Sequence, residues 1–97
     1  MTTLMIPLTI DPANQRQVLD MLRDNINTVI RTLDGWIATN LIASADGTRI
    51  VIHSQWRDVA AVETMRTDPR MVAYYPKLAA LATIDPIMGE VVEAAKA

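Results

Sequence analysis

Cysteine is absent from the 97 residues, and histidine occurs once, as His53. The first absence excludes disulfides, thiolate metal sites, iron–sulfur clusters and a cysteine nucleophile. The second leaves no set of imidazoles from which to build a metal centre. An excess of positive charge is missing too, since nine basic against 11 acidic residues give a net charge of −2. Electrostatic attachment to nucleic acid or to an anionic membrane needs a basic patch, so neither partner is expected. No apolar run reaches the roughly 18 residues of a membrane span. The N-terminal segment Met1 to Pro7 has no basic leader, so no signal peptide is expected and a cytoplasmic location is the default. Ser-His-Asp sets, paired-carboxylate signatures and glycine-rich phosphate loops are missing as well.

What the chain does have is apolar surface. Apolar residues make up 51% of it, and the mean hydropathy is +0.17. Residues 1–97 form one domain with one modest core. The apolar excess predicts contact with a second copy, a homodimer.

Leu4, Ile6, Leu8 and Ile10 alternate with Thr3, Met5, Pro7 and Thr9, which predicts a strand with one apolar face. Pro7 lacks an N–H and is expected on an edge or at a non-bonded position. Asp11-Pro12 reads as a helix cap with proline in the first turn. Val18, Leu19, Leu22, Ile26, Val29, Ile30 and Leu33 then recur at intervals of three and four, predicting one amphipathic helix of about five turns. Asp34-Gly35 ends it, with Gly35 in the left-handed conformation.

Trp36 to Ser44 and Thr48 to Trp56 read as two strands joined through Asp46-Gly47. In the second of them Ile50, Ile52, Ser54 and Trp56 share the core face. Asp58 can cap a short helix holding Val59, Val62 and Met65. Asp68-Pro69 can cap another holding Val72, Tyr75, Leu78 and Leu81, which Pro76 kinks or breaks. Ile87 to Glu93 reads as a last strand, and the final residues can alternatively form a helical tail. The order strand, helix, strand, strand, helix pair, strand is the ferredoxin-like split βαβ pattern of an α+β fold. It implies a four-stranded antiparallel sheet with helices on one face. Met5, Ile37, Leu41 and Val51, with Arg49, His53 and Gln55, fall on the other face, where the second copy is expected.

Three segments carry a family resemblance: Asp34-Gly35-Trp36, Gln55-Trp56-Arg57-Asp58, and Asp68 through Tyr74. Together they resemble the antibiotic biosynthesis monooxygenase family. The resemblance implies a dimeric α+β barrel that oxidises anthrones or quinols with O2 and uses no metal or flavin; haem is not expected as a cofactor either, because the histidine ligand of the haem-degrading branch is missing. Of the family's catalytic positions, Trp56 carries over. Ile52 stands where anthrone monooxygenases have asparagine, Val62 where they have a pocket tyrosine, and Val29 where they have tryptophan. Arg70 replaces the histidine of the quinol-oxidising branch. Tyr75 stands at the haem-ligand position of the haem-degrading branch, and Ile6 near its first-strand asparagine.

The candidate site is an apolar cavity between sheet and helices. Its expected lining is Val29, Leu33, Ile52, Ser54, Trp56, Val62, Met65 and Tyr75. Trp56 and Tyr75 are the candidate catalytic residues, with Ser54, the Trp56 N–H and the Tyr75 hydroxyl as polar contacts. Each has a plainer reading: Trp56 closes the core, His53 is an interface histidine, and Arg70 pairs with Asp68. Of Tyr74 and Tyr75, one is expected buried and one exposed, with Tyr75 inside. The methionines read as soft core filler. Two functions follow: a cofactor-independent monooxygenase acting on an aromatic polyketide, anthrone or quinol with O2, or a non-catalytic dimeric ligand-binding or regulatory module.

Overall fold

The computed structural model describes residues 1–97. Strand β1 (Thr2–Ile10) lies in the middle of an open antiparallel sheet. Helix α1 (Gln15–Thr28) follows, then the hairpin of β2 (Trp36–Ala43) and β3 (Arg49–Trp56), helices α2 (Val59–Thr67) and α3 (Pro69–Ala79), and strands β4 (Ala82–Ile84) and β5 (Ile87–Gly89). The sheet runs β2-β3-β1-β4, and β5 also pairs with β1. The ferredoxin-like α+β fold predicted from the sequence is therefore present, with five strands in place of four. The last predicted strand, Ile87 to Glu93, is present only as β5; Asp85-Pro86 divides it from the additional strand β4, and residues 90–97 form neither its remainder nor a helix.

That division accounts for Pro7. It lies on a central strand rather than an edge, opposite Val51 of β3. On its other side β4 pairs with Leu8 to Ile10 and β5 with Thr3 to Met5. Pro7 therefore sits at the gap between two short partners, where no acceptor waits for the N–H it lacks. Its carbonyl still accepts from the Asp85 N–H at 3.2 Å.

The predicted long helix is three pieces. Asp11 caps a single 3-10 turn, Pro12–Asn14, its Oδ1 accepting from the Ala13 N–H at 2.9 Å. α1 then stops at Thr28, and a second 3-10 turn spans Ile30–Thr32. Hydroxyls of Thr28 and Thr32 donate to the Asp24 and Val29 carbonyls, competing with the helical ladder where β-branched residues already crowd it. Gly35 has φ +86° as expected. Its carbonyl accepts from the Arg57 N–H at 2.7 Å, tying the start of β2 to the end of β3.

A register shift between Trp36 and Ala38 changes which side chains of β2 face inward. Beyond it Thr39 and Leu41 lie opposite Ser54 and Ile52, on the core face, and Ile42 lies opposite Val51 outside. Leu41 was expected on the outer face, and Ile42 takes that place. A one-residue slip inverts the side-chain alternation of everything that follows.

At the hairpin, Asp46 Oδ1 accepts from the Thr48 N–H, the Thr48 hydroxyl and the Ser44 hydroxyl. These bonds favour the carboxylate, and the first of them does most to lower its pKa to about 2.

Two helical stripes match expectation only in part. Ala61, Val62 and Met65 are buried on α2, whereas Val59 is exposed. On α3, Met71 and Leu78 are buried and Val72 is exposed. α3 also continues through Pro76. Pro76 and Val72, one turn apart, are both exposed, so water can take the carbonyl the proline ring leaves unpaired. The buried core joins Leu4, Leu8, Ile50, Trp56, Val18 and Val62. Met5, Ile42 and Ile87 remain exposed on the sheet's other side. No helix is long and apolar enough to cross a membrane.

Candidate functional site

β1 and β3 contribute alternate side chains to the core face, and α1, α2 and α3 lie over them. Between the layers is an apolar cavity of about 50 Å3. A wider hollow of about 310 Å3 adjoins it and shares the walls Leu4, Ile6, Tyr75 and Ile84, with Arg66 and Pro86 at its rim.

Of the expected lining, Ile52, Ser54, Trp56, Met65 and Tyr75 border the inner cavity. Val62 is wholly buried elsewhere in the core. Leu33 packs against the core without reaching the cavity. Val29 borders a polar groove between α1 and α3. Three polar residues of the lining were not anticipated: Asn25 on α1, Thr39 on β2 and Tyr74 on α3. Thr39 was hidden by the β2 register shift. Asn25 sits in the apolar stripe between Leu22 and Ile26, the one signal by which the sequence marked it.

The polar groups are arranged in bonded pairs. Trp56, 1% exposed, donates its indole N–H to Ser54 Oγ at 3.1 Å, and Ser54 donates to the Leu4 carbonyl at 3.0 Å. Neither of these expected ligand donors is therefore free. Thr39 Oγ1 accepts from the Trp36 indole at 2.8 Å, which leaves its own O–H available. The amide nitrogen of Asn25 donates to Met71 Sδ at 3.4 Å, and the Tyr75 hydroxyl donates to Met65 Sδ at 3.6 Å. Thioether sulfur is a weak acceptor, so both donors can exchange it for a ligand oxygen. The methionines thus fill the core and hold the site's donors.

Both tyrosines of α3 are half-buried, contrary to the expected division into one buried and one exposed ring. Burial raises the pKa of Tyr75, and Arg66 opposes the rise. Burial, followed by Tyr75 and Asp24, raises that of Tyr74 to about 12. Both phenols are therefore neutral donors at ordinary pH. No acidic, basic or histidine side chain borders the inner cavity, and no cluster of metal-ligating residues occurs in the chain. His53 lies outside, opposite Met5 and Asn40. Arg70 pairs with Asp68 at 3.1 Å and also reaches Thr32 Oγ1.

A family model described as antibiotic biosynthesis monooxygenase matches residues 1–77. Tetracenomycin-F1 monooxygenase of Streptomyces glaucescens is 29% identical over 89 residues, covering 92% of this chain and 80% of that protein. Among solved structures, a monooxygenase of Streptomyces coelicolor in complex with nanaomycin D matches with a TM-score of 0.88 at 22% identity, covering 99% of this chain and 91% of that one. SnoaB, a cofactor-independent oxygenase from Streptomyces nogalater, matches with a TM-score of 0.79 at 18% identity, covering 96% and 94% of the two chains.

Proposed function

The chain belongs to the antibiotic biosynthesis monooxygenase family, and from that premise we propose that it is a cofactor-independent monooxygenase oxidising an aromatic polyketide, anthrone or quinol with O2. The observation that carries this reading is the apolar cavity whose polar contacts are all neutral donors. The names of the Streptomyces glaucescens and Streptomyces nogalater relatives, and the polyketide bound to the Streptomyces coelicolor protein, support it.

Such chemistry asks for a dry, shaped site more than for a strong base. An anthrone methylene is acidic enough to ionise with the substrate's own oxygens sharing the charge. The enolate passes one electron to O2, and the two radicals combine as a carbon-bound peroxide. Protonation and loss of water leave a carbonyl, so CH2 + O2 becomes C=O + H2O. In this reading Tyr75 donates to the enolate oxygen, giving up its Met65 contact, and a neutral donor shielded from water strengthens as charge develops. Ile52 and Trp56 wall the ring and exclude water. Ligand sites usually occupy ~300–1,000 Å3, so a fused-ring substrate needs the outer hollow with the inner cavity. Arg66 at the rim suits an anionic substituent.

Oxygen-electrode measurements with a panel of anthrones and hydroquinones test the reading. One O2 consumed per quinone formed is the expected outcome. Tight binding without oxygen uptake would favour the ligand-binding module, to which the lack of an acidic, basic or histidine side chain in the cavity also points. Neither binding nor uptake across the panel refutes both.

We also propose that the exposed outer face, with Met5, Ile42, Val51 and Ile87, packs on a second copy. Light scattering is expected to give twice the 10.7 kDa chain mass at micromolar concentration. Ile42→Glu should shift that species toward monomer, because an uncompensated carboxylate at an apolar contact is costly. A wild-type protein that stays monomeric overturns this assembly.

A further inference from the structure

Tyr74 and Tyr75 are consecutive on α3, their ring centroids 6.4 Å apart and their planes 52° from parallel, and both border the inner cavity. Their hydroxyls differ. That of Tyr75 has Met65 Sδ as an acceptor. That of Tyr74 is closed off from solvent and has no partner at all. A buried phenol without a hydrogen bond is a standing cost to the fold, and such a group calls for an explanation. Its surroundings offer none from within the chain. Asn25 opposite, on α1, gives its amide N–H to Met71. Asp24 and Lys77 border a groove that Asn25 and Tyr74 also line, but they make no hydrogen bond to the Tyr74 hydroxyl.

Resting on the function proposed above, we infer that Tyr74 is a second oxygen-recognising residue of the same site, donating its hydroxyl hydrogen to a carbonyl or enolate oxygen of the bound ring system. The unmet bond of the free protein is then made by the ligand. This gives the cavity a preference that its apolar walls lack, because a ring without that oxygen leaves the phenol unpaired while one with it does not. With its pKa raised to about 12, the group is a donor and not a base, so it serves binding and charge stabilisation rather than proton removal.

The test compares anaerobic binding of anthrone and of 9,10-dihydroanthracene, which has the same three rings without the carbonyl oxygen. Both are titrated into the wild-type protein and Tyr74→Phe, and both proteins are melted without ligand. The variant is expected to bind anthrone about tenfold more weakly, the loss of one hydrogen bond, and dihydroanthracene unchanged. Its ligand-free melting temperature should equal or exceed the wild type's, since an unpaired hydroxyl is all that is removed. Unaltered anthrone affinity in the variant overturns the assignment and leaves the proposed function standing. A lowered ligand-free melting temperature overturns it too, by showing that the hydroxyl already has a partner. A wild-type protein that binds neither compound overturns the fused-ring reading of the cavity, and the role of Tyr74 with it.

Discussion

Trp56→Ala is expected to cost about 3–5 kcal/mol, the range for emptying a fully buried tryptophan site. Trp56 ends β3 on the core face beneath α2, 1% exposed, and its N–H continues a chain through Ser54 to the Leu4 carbonyl of β1. Removing the ring leaves a void and takes away the Ser54 donor. Small domains have only about 5–15 kcal/mol in hand, so the alanine variant sits at the edge of unfolding at 37 °C. Trp56→Phe is the informative partner, with an expected loss of about 1–3 kcal/mol from the smaller ring and the unpaired Ser54 lone pair. Because the indole N–H is held inside the protein, a substrate loses no hydrogen bond in that variant. Its binding and turnover should therefore follow the folded fraction and recover on cooling, whereas Tyr75→Phe should lower turnover in a protein of near-normal stability. Thermal melts paired with oxygen uptake on the same preparations check this. A Trp56→Phe protein as stable as wild type, with turnover lost, would place the indole on the substrate instead.

Gly35→Ala is the second large effect, at about 2–5 kcal/mol. One part is conformational: φ is +86°, where a Cβ costs about 1–2 kcal/mol. The other is contact: the added Cβ would lie 2.5 Å from Ala61 Cβ on α2, and overpacking of this kind costs about 1–3 kcal/mol. The neighbouring Asp34–Arg57–Asp58 ion pairs are exposed and add little. A double-mutant cycle with Ala61→Gly separates the two parts. Ala61→Gly alone should cost about 1 kcal/mol as a helix-interior glycine, and in the double variant the clash disappears while the φ penalty stays. Strict additivity in urea melts would mean that α2 moves aside and that the close approach is not what requires glycine.

The element order and the core face of β1 and β3 were legible because they rest on short-range rules. Leu4, Ile6 and Leu8 face inward by strand alternation alone, Asp11 and Asp68 cap by local geometry, and Gly35 and Gly47 mark turns that need positive φ. The resemblance carried by Gly35, Trp56 and the segment Asp68 to Tyr74 reached the family. Half-right helical stripes show the limit of such rules: Val62, Met65 and Leu78 are buried as the spacing predicted, but Val59 and Val72 are exposed while Ala61 and Met71 are buried. A helix's phase is set by the surface it meets, and periodicity alone does not contain that surface.

The site was less legible for the same reason. By itself the sequence determined the fold class, the absence of thiolate chemistry and of a set of imidazoles for a metal centre, and the residue types that a cavity here would have. Which residues meet in the cavity was decided by tertiary structure. One register shift in β2 brought Thr39 and Leu41 inside, a helix ending at Thr28 left Val29 outside, and the packing of α3 on the sheet turned both tyrosines inward. It also decided the state of each donor, engaging the Trp56 and Ser54 groups with each other and with β1 while leaving the Tyr74 hydroxyl unpaired. Hydrogen-bond partners fifty residues apart, such as Ser54 and Leu4, are adjacent only once the sheet has formed. Composition and spacing describe what the chain carries locally, and a satisfied or unsatisfied polar group is a property of the neighbours that folding supplies.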